Sequence, residues 1–289
     1  MTNQIANPPT TFATSDRRQD VVKTASPDDV ALLPTVVAAV QSAGSEMKIR
    51  FSRDSRRTSR QDINASIGNN DDVSLGLLQA PLLAARPSAK WVEDELAGGA
   101  LPPGEWWVTD PVEGAINNVH GMTDWGVTAT LVRENLPVLA VVHLPLTGET
   151  YTAVRGDGAY LDGTRLYHSA KSDLKAALVG TGQAAPGEDH DTHRRIGQSV
   201  TAMLEAALVV RVSVPATLQL IQVAAGRMDA FWQFSQVRSG LLAGALLVEE
   251  AGGILSDVCG RPWNLASSDF LAAAPGVHAA AVRALLPIR

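Results

Sequence analysis

Trp107-Val108-Thr109-Asp110-Pro111-Val112-Glu113-Gly114-Ala115-Ile116-Asn117 is the stretch on which the reading of this chain turns. Two acids three residues apart flank a proline, and a glycine follows. Such a turn aims two carboxylates and an intervening backbone carbonyl at one point. That suits a hard cation such as Mg²⁺, which takes oxygen ligands and keeps waters that a phosphate can displace. Trp106–Asp110 reads as a strand that ends at this acidic turn.

Working outward, Trp125–Leu131 and Val138–His143 read as strands joined by a Glu134-Asn135 turn. Tyr151–Val154 and Ala159–Leu161 form the next hairpin, bounded by Gly156 and Gly158. Beyond it the pattern predicts strands over 176–180, 209–214, 229–234, 254–257 and 270–274. Helices are predicted over 190–208, 216–225, 241–251 and 277–286, with Gly252-Gly253 stopping the third. Upstream, Ser26-Pro27-Asp28-Asp29 has the composition of a helix start with a Ser cap, and Leu32, Leu33, Val36, Val37 and Val40 follow at helical spacing. A further helix is read over 71–85. Mixed strands and helices without strict alternation predict a layered α/β or α+β fold. The division expected is a flexible polar tail (1–25), an N-terminal α+β subdomain with the acidic turn (26–155) and a C-terminal α/β subdomain (156–289).

The 289 residues suffice for a real core, and 45% apolar with 19% charged content is ordinary for a globular protein. A net charge of −6 gives no global basic field, so no nucleic-acid partner is expected. No apolar run reaches the ~18 residues that span a membrane, and none is expected as a partner. A single cysteine, Cys259, excludes an intrachain disulfide and fits a reducing cytoplasm. Residues 48–60 carry Lys48, Arg50, Arg53, Arg56, Arg57 and Arg60. Two readings stay open for this run: a strip facing phosphate or a partner, or a solvated helix face and loop, the commoner role of such runs.

The acidic turn has company. Asp71-Asp72 and Glu93-Asp94-Glu95 precede it, and Glu249-Glu250-Ala251-Gly252-Gly253 and Asp257 follow much later. Over roughly residues 65–275 this order resembles the inositol monophosphatase superfamily, which includes fructose-1,6-bisphosphatases and 3′(2′),5′-bisphosphate nucleotidases. The resemblance rests on the acidic segment at 93–95, a W-x-x-D-P-x-D-G-T-x-N-type turn at 107–117, Gly121 and Trp125. It extends through the Gly148–Gly163 hairpin pattern, Arg211, the Val223–Trp232 segment and the Glu250-Ala251-Gly252-Gly253 helix end. It implies an alternating αβαβα sandwich, as in the sugar phosphatases, and metal-assisted hydrolysis of a small phosphorylated substrate by a homodimer.

Carried over residue by residue, the resemblance implies catalytic roles for Asp71, Asp94, Asp110 and Glu113. Asp94, Asp110, Glu113 and the Val112 carbonyl would be the metal ligands. Substrate contacts fall on Gly114, Ala115, Gln233, Gly240 and Arg211. The departures are specific. The family threonine that helps activate water is Ala115, its Trp-Asp pair on the last metal-binding helix is Ser239-Gly240, its substrate glutamate is Gln233, and its Gly-Ser/Thr pair is Val214-Pro215. Mg²⁺ is accordingly expected at reduced occupancy or not at all, because Gly240 has no side chain to ligate it. Three readings remain: an enzyme with altered chemistry or substrate, an atypical Mg²⁺-dependent phosphomonoesterase in which Asp257, Glu249 or a substrate group replaces the lost ligand, and a non-catalytic binding relative. His120, His143, His190 and His193 read as structural histidines rather than catalysts or zinc ligands. Arg238 reads as an anion holder or a salt-bridge partner.

Overall fold

The computed structural model describes residues 24–94, 97–184, 187–235 and 237–288. The tail expected over 1–25 therefore lies almost wholly outside the described residues, as does Glu95. Two long helices open the chain, α1 (Pro27–Arg50) and α2 (Arg60–Ala85). A seven-stranded sheet follows in sequence order: β1 (Lys90–Trp91), β2 (Glu105–Glu113), β3 (Gly126–Arg133), β4 (Leu136–Leu144), β5 (Glu149–Val154), β6 (Gly158–Leu161) and β7 (Thr164–Arg165). A short helix, α3 (Ala115–Val119), sits between β2 and β3. The second half holds β8 (Leu178–Thr181), α4 (His190–Ala206), β9 (Val209–Val212), α5 (Ala216–Ala224), β10 (Ala230–Gln233), α6 (Ser239–Glu250), β11 (Ile254–Ser256), β12 (Phe270–Ala273) and α7 (Pro275–Leu285). Its five strands form a mixed sheet ordered β11-β12-β10-β8-β9.

The apolar clusters define five layers. Leu32, Val36, Val40, Leu78 and Leu82 of α1 and α2 pack on Trp107, Val127, Leu131 and Val141 of the first sheet. The opposite face of that sheet meets Leu220, Ile221, Leu246 and Leu247 of α5 and α6, which also cover Phe231 and Phe270 of the second sheet. Met203, Val277, Ala281 and Leu285 of α4 and α7 close the far side against Val179, Trp232 and Leu271. This is the αβαβα sandwich. α6 must be apolar all round because it is buried between two sheets. Gly244 lets α5 approach it, since a Cβ there would stand 2.4 Å from the Leu220 Cβ.

Several local expectations are corrected. β2 does not end at Asp110 but runs to Glu113, its pairing with β3 shifting between those two acids. A bulge of this kind re-aims side chains without ending the strand. α2 begins at Arg60, not near 71, where Ser59 accepts a hydrogen bond from the Asp62 N–H at 3.1 Å. Ser26 occupies the N-cap of α1, but its side chain makes no capping bond. The expected boundary at 155 falls within the first sheet, because β6 pairs with β5 and β7 with β6. Among the described residues α1 alone is long and apolar enough to cross a membrane by length and composition; its apolar stripe is spent on the first sheet. The Glu134-Asn135 turn has positive φ at both residues (49° and 64°), the geometry of a tight hairpin turn.

Candidate functional site

The bulge at the end of β2 builds the site. Asp110 is still in register with Thr128, whose Oγ1 accepts from the Asp110 N–H at 3.2 Å. Pro111 follows, and its carbonyl accepts from the Ser74 Oγ at 2.7 Å, pinning the turn to α2. The Val112 N–H donates back to Asp110 Oδ1 at 3.2 Å. Val112 itself packs with Met47 and Trp125, and Ala115 and Phe51 border the same cluster. Pairing resumes at Glu113 opposite Gly126. Gly114 then takes φ +88°, and a Cβ there would lie 2.7 Å from the Asp124 carbonyl oxygen and 3.1 Å from Pro215 Cγ. Only glycine fits both the backbone and the space.

Asp110 keeps some exposed surface, while its carboxyl is surrounded by protein atoms. Burial first, then the charge of Glu113 and a side-chain hydrogen bond with it, then the charge of Asp71, push that carboxyl well above the usual carboxylate range. Glu113 is 3% exposed. Asp71, on the face of α2 that carries Ser74 one turn on, is raised to about 6 by burial and then by the charge of Asp72. Three acids thus act on one another at the bulge. Among the described residues no group of three or more His, Cys, Asp or Glu side chains is gathered closely enough to hold an ion without rearrangement. The adjoining pair is Asp110 and Glu113, with Asp71 acting from across the gap.

The other expected residues divide. Gly240, in the first turn of α6, does face the turn: a Cβ there would be 3.8 Å from Glu113 Oε1 and 3.9 Å from Oε2, with no clash. Asp94 is exposed, shares an open groove with Asp71, Glu93 and Thr109, and lies within the field of Arg238. Gln233 is buried, donates from Nε2 to the Ser235 carbonyl at 2.8 Å and lies against Gly182. Arg211 is exposed on the edge strand β9 and lines a different groove with Arg53, Asp124 and Pro215. Among the described residues no hydrogen bond joins Gln233 or Arg211 to the acidic turn.

The two acids considered as substitutes for a missing ligand are engaged elsewhere. Glu249 makes a two-pronged ion pair with Arg155 at 2.8 and 2.9 Å. Asp257 accepts from the backbone N–H groups of Cys259 and Arg261 and from the Arg261 side chain. Arg238 donates to the carbonyls of Gly98 and Gly99 at 2.6 and 3.2 Å. His120 contacts the Ile116 carbonyl through Nδ1 at 2.7 Å. His143 is buried on Thr150 and held below the usual imidazole range by burial. The Nδ1 of each is thus engaged by a neighbouring residue. Sequence reasoning missed Ser74 and Thr128, which fix the turn. Ser74 had a signal: it lies three residues beyond Asp71, on the same helix face.

Fold and site together define a layered α/β protein of the sugar-phosphatase type, with acids gathered at a bulge facing an interior helix. Residues 28–288 match the model of the inositol monophosphatase family, and the chain belongs to that family. It is 32% identical over 250 residues to a SuhB protein of Neisseria meningitidis, covering 86% of this chain and 95% of that one. It is also 32% identical over 232 residues to the inositol-1-monophosphatase of Rhizobium meliloti, covering 80% and 86%. The solved structure of the extragenic suppressor protein SuhB from Bartonella henselae superposes with a TM-score of 0.74 at 25% identity, covering 88% of this chain and 98% of that one. The family is typically one of metal-dependent phosphatases acting on small phosphorylated substrates.

Proposed function

We propose that this protein is a phosphomonoesterase with a reduced cation site, in which the substrate's own phosphate completes the coordination. The observation that carries the reading is Asp110: a carboxyl enclosed by protein, pressed against Glu113 and within the field of Asp71. Like charges held together at a cost to stability mark functional sites. The donor set also fits the ion. Mg²⁺ is commonly bound by one or two carboxylates, several waters and substrate phosphate oxygens rather than by a full protein cage. Asp110, Glu113 and the Val112 carbonyl would hold it. A divalent ion held there would supply charge neutralisation for the phosphate and a lowered pKa for water.

The chain's own residues do the rest. Ser74 and Thr128 fix the backbone of the turn, so the two carboxylates keep one mutual orientation. Asp71, raised to about 6, is suited to take a proton near neutral pH, the task the lost threonine at Ala115 would otherwise share. The space beside Gly240 admits a substrate group next to Glu113 where a side chain would otherwise stand. Calorimetry of Mg²⁺ binding with and without inorganic phosphate tests the reading, together with phosphate release from inositol, sugar and nucleotide monophosphates. Phosphate should tighten Mg²⁺ binding, and at least one monoester should be hydrolysed. Absence of release at every metal concentration, with no Mg²⁺ binding, would leave the scaffold as a non-catalytic relative.

A further inference from the structure

The arginine run read from the sequence is split by the fold into pieces with different fates. Arg53 turns to the groove that holds Arg211, and its backbone carbonyl backs onto Gly121. Arg50, Arg56 and Arg57 converge instead on a second groove of about 520 Å³ between the end of α1, the first turns of α2 and α3. Asn69, Asn70 and Asn118 line it too. This groove uses a face of α2 different from the one bearing Asp71 and Asp72, which line the acidic groove.

Three features give this groove a chemistry. Its lining carries three guanidinium groups against one acid, Asp54, in a chain whose net charge is −6. Arg57 meets Asp62 only at 3.6 Å and in the open, a pairing of little strength. Arg50 Nε donates to Asn70 Oδ1 at 3.2 Å, and Asn70 Nδ2 donates to Asn118 Oδ1 at 3.2 Å, so arginine and amides are linked in one chain. Asn118 is 5% exposed, and its Nδ2 has no hydrogen-bond partner among the described residues. A buried amide donor without an acceptor is costly, and an acceptor-rich ligand on the groove would relieve it. Arginine forks and amide N–H groups with few competing carboxylates are the donor set for a phosphoryl group.

We propose that the groove of Arg50, Arg56, Arg57 and Asn118 is a second anion site that takes a phosphoryl group, distinct from the acidic bulge and independent of any metal. The group can come from a soluble phosphate compound or from a phosphorylated lipid headgroup. The test is calorimetric titration of sodium pyrophosphate into the full chain in EDTA, which removes cations from the acidic site. Binding is expected, weakened about tenfold or more in the Arg50→Gln/Arg57→Gln double variant and in Asn118→Asp, which swaps the buried donor for an acceptor at equal size. Arg194→Gln, on α4, should leave the affinity within about twofold. Because Asn118 is buried, the single variant Arg57→Gln serves as an exposed variant, its pair with Asp62 being long and open to water. A parallel arm measures sedimentation with phosphatidylcholine vesicles carrying phosphatidylinositol phosphate. Vesicle binding that the same variants abolish, without pyrophosphate binding, assigns the phosphoryl group to a lipid. Absence of binding in both arms, or binding that survives in all three groove variants, overturns the proposal.

Discussion

The two ends of β2 place acids in opposite company. At its start, Glu105 accepts two hydrogen bonds from Arg86 (2.8 and 2.9 Å) and one from the Arg133 Nε (2.7 Å). The Arg133 guanidinium also holds Asp29 at 2.7 and 2.9 Å. Hydrogen bonding from Arg86 first, then from Ser88 and Arg133, brings the Glu105 carboxyl down to about 2. Toward the other end, the charged neighbours of Asp110 are acids, and burial and those acids outweigh the single Val112 N–H bond and drive its carboxyl upward. One nine-residue strand thus carries a carboxylate stabilised by its surroundings and another destabilised by them. The first ties α1, α2, β2 and β3 together and is a stability device. The second stores a repulsion that a cation or a proton must relieve, which is how a site rather than a brace is built.

The largest effect that would break this contrast is expected at Asp110. Asp110→Asn should lower Mg²⁺-dependent phosphate release on the order of 10²–10³-fold. It should also raise the thermal midpoint by a few degrees in EDTA, because a repulsion is removed. A fall in the midpoint would show that Asp110 is a brace like Glu105. Next, Glu105→Gln should cost roughly 2–3 kcal/mol in urea unfolding, since it takes the carboxylate from partly buried Arg86 and one of two carboxylates from Arg133. Mg²⁺ affinity should not move.

A pH series sharpens the same point. The folded Glu105 carboxyl titrates near 2, below its ordinary value of 4.5. Its contribution is therefore complete above about 4.5 and is lost as the pH falls through the folded value near 2. Between pH 5 and pH 3 the wild-type urea midpoint should fall more steeply than that of Glu105→Gln; parallel curves would remove Glu105 from the account. The smallest effect is expected at Gly240→Asp, which sets a third carboxylate beside Glu113. Mg²⁺ binding should tighten about tenfold, with a loss of about 1 kcal/mol in metal-free stability. Unchanged Mg²⁺ affinity would mean that the ion sits elsewhere.

Local chemistry made parts of this legible in the sequence. The positive φ at Glu134-Asn135 and at Gly252 was carried by the residues themselves. The acidic turn was legible because its acids are three residues apart. What stayed hidden was non-local or lacked a pattern. The first half of α2, from Arg60 to Asn70, offers no continuous apolar stripe, so hydrophobic periodicity appears only near Val73. That β2 continues through its own turn depends on Gly126 across the ladder, which no local reading of Pro111 supplies. Arg211 and Gln233 were placed by resemblance alone, and the fold gives each a different neighbourhood from the acids.

Arg238 carries a mechanical consequence. Its N–H donates to the Ala97 carbonyl, and its side chain donates to Gly98 and Gly99. These three bonds clamp the chain just beyond Asp94 to the N-cap of α6, two residues before Gly240. The Ala97 N–H in turn donates to the Asp94 carbonyl at 3.3 Å, which ties Asp94 to the same clamp. A swing that brings Asp94 toward the bulge while these bonds hold draws on the first turn of α6, and so on the opening beside Glu113.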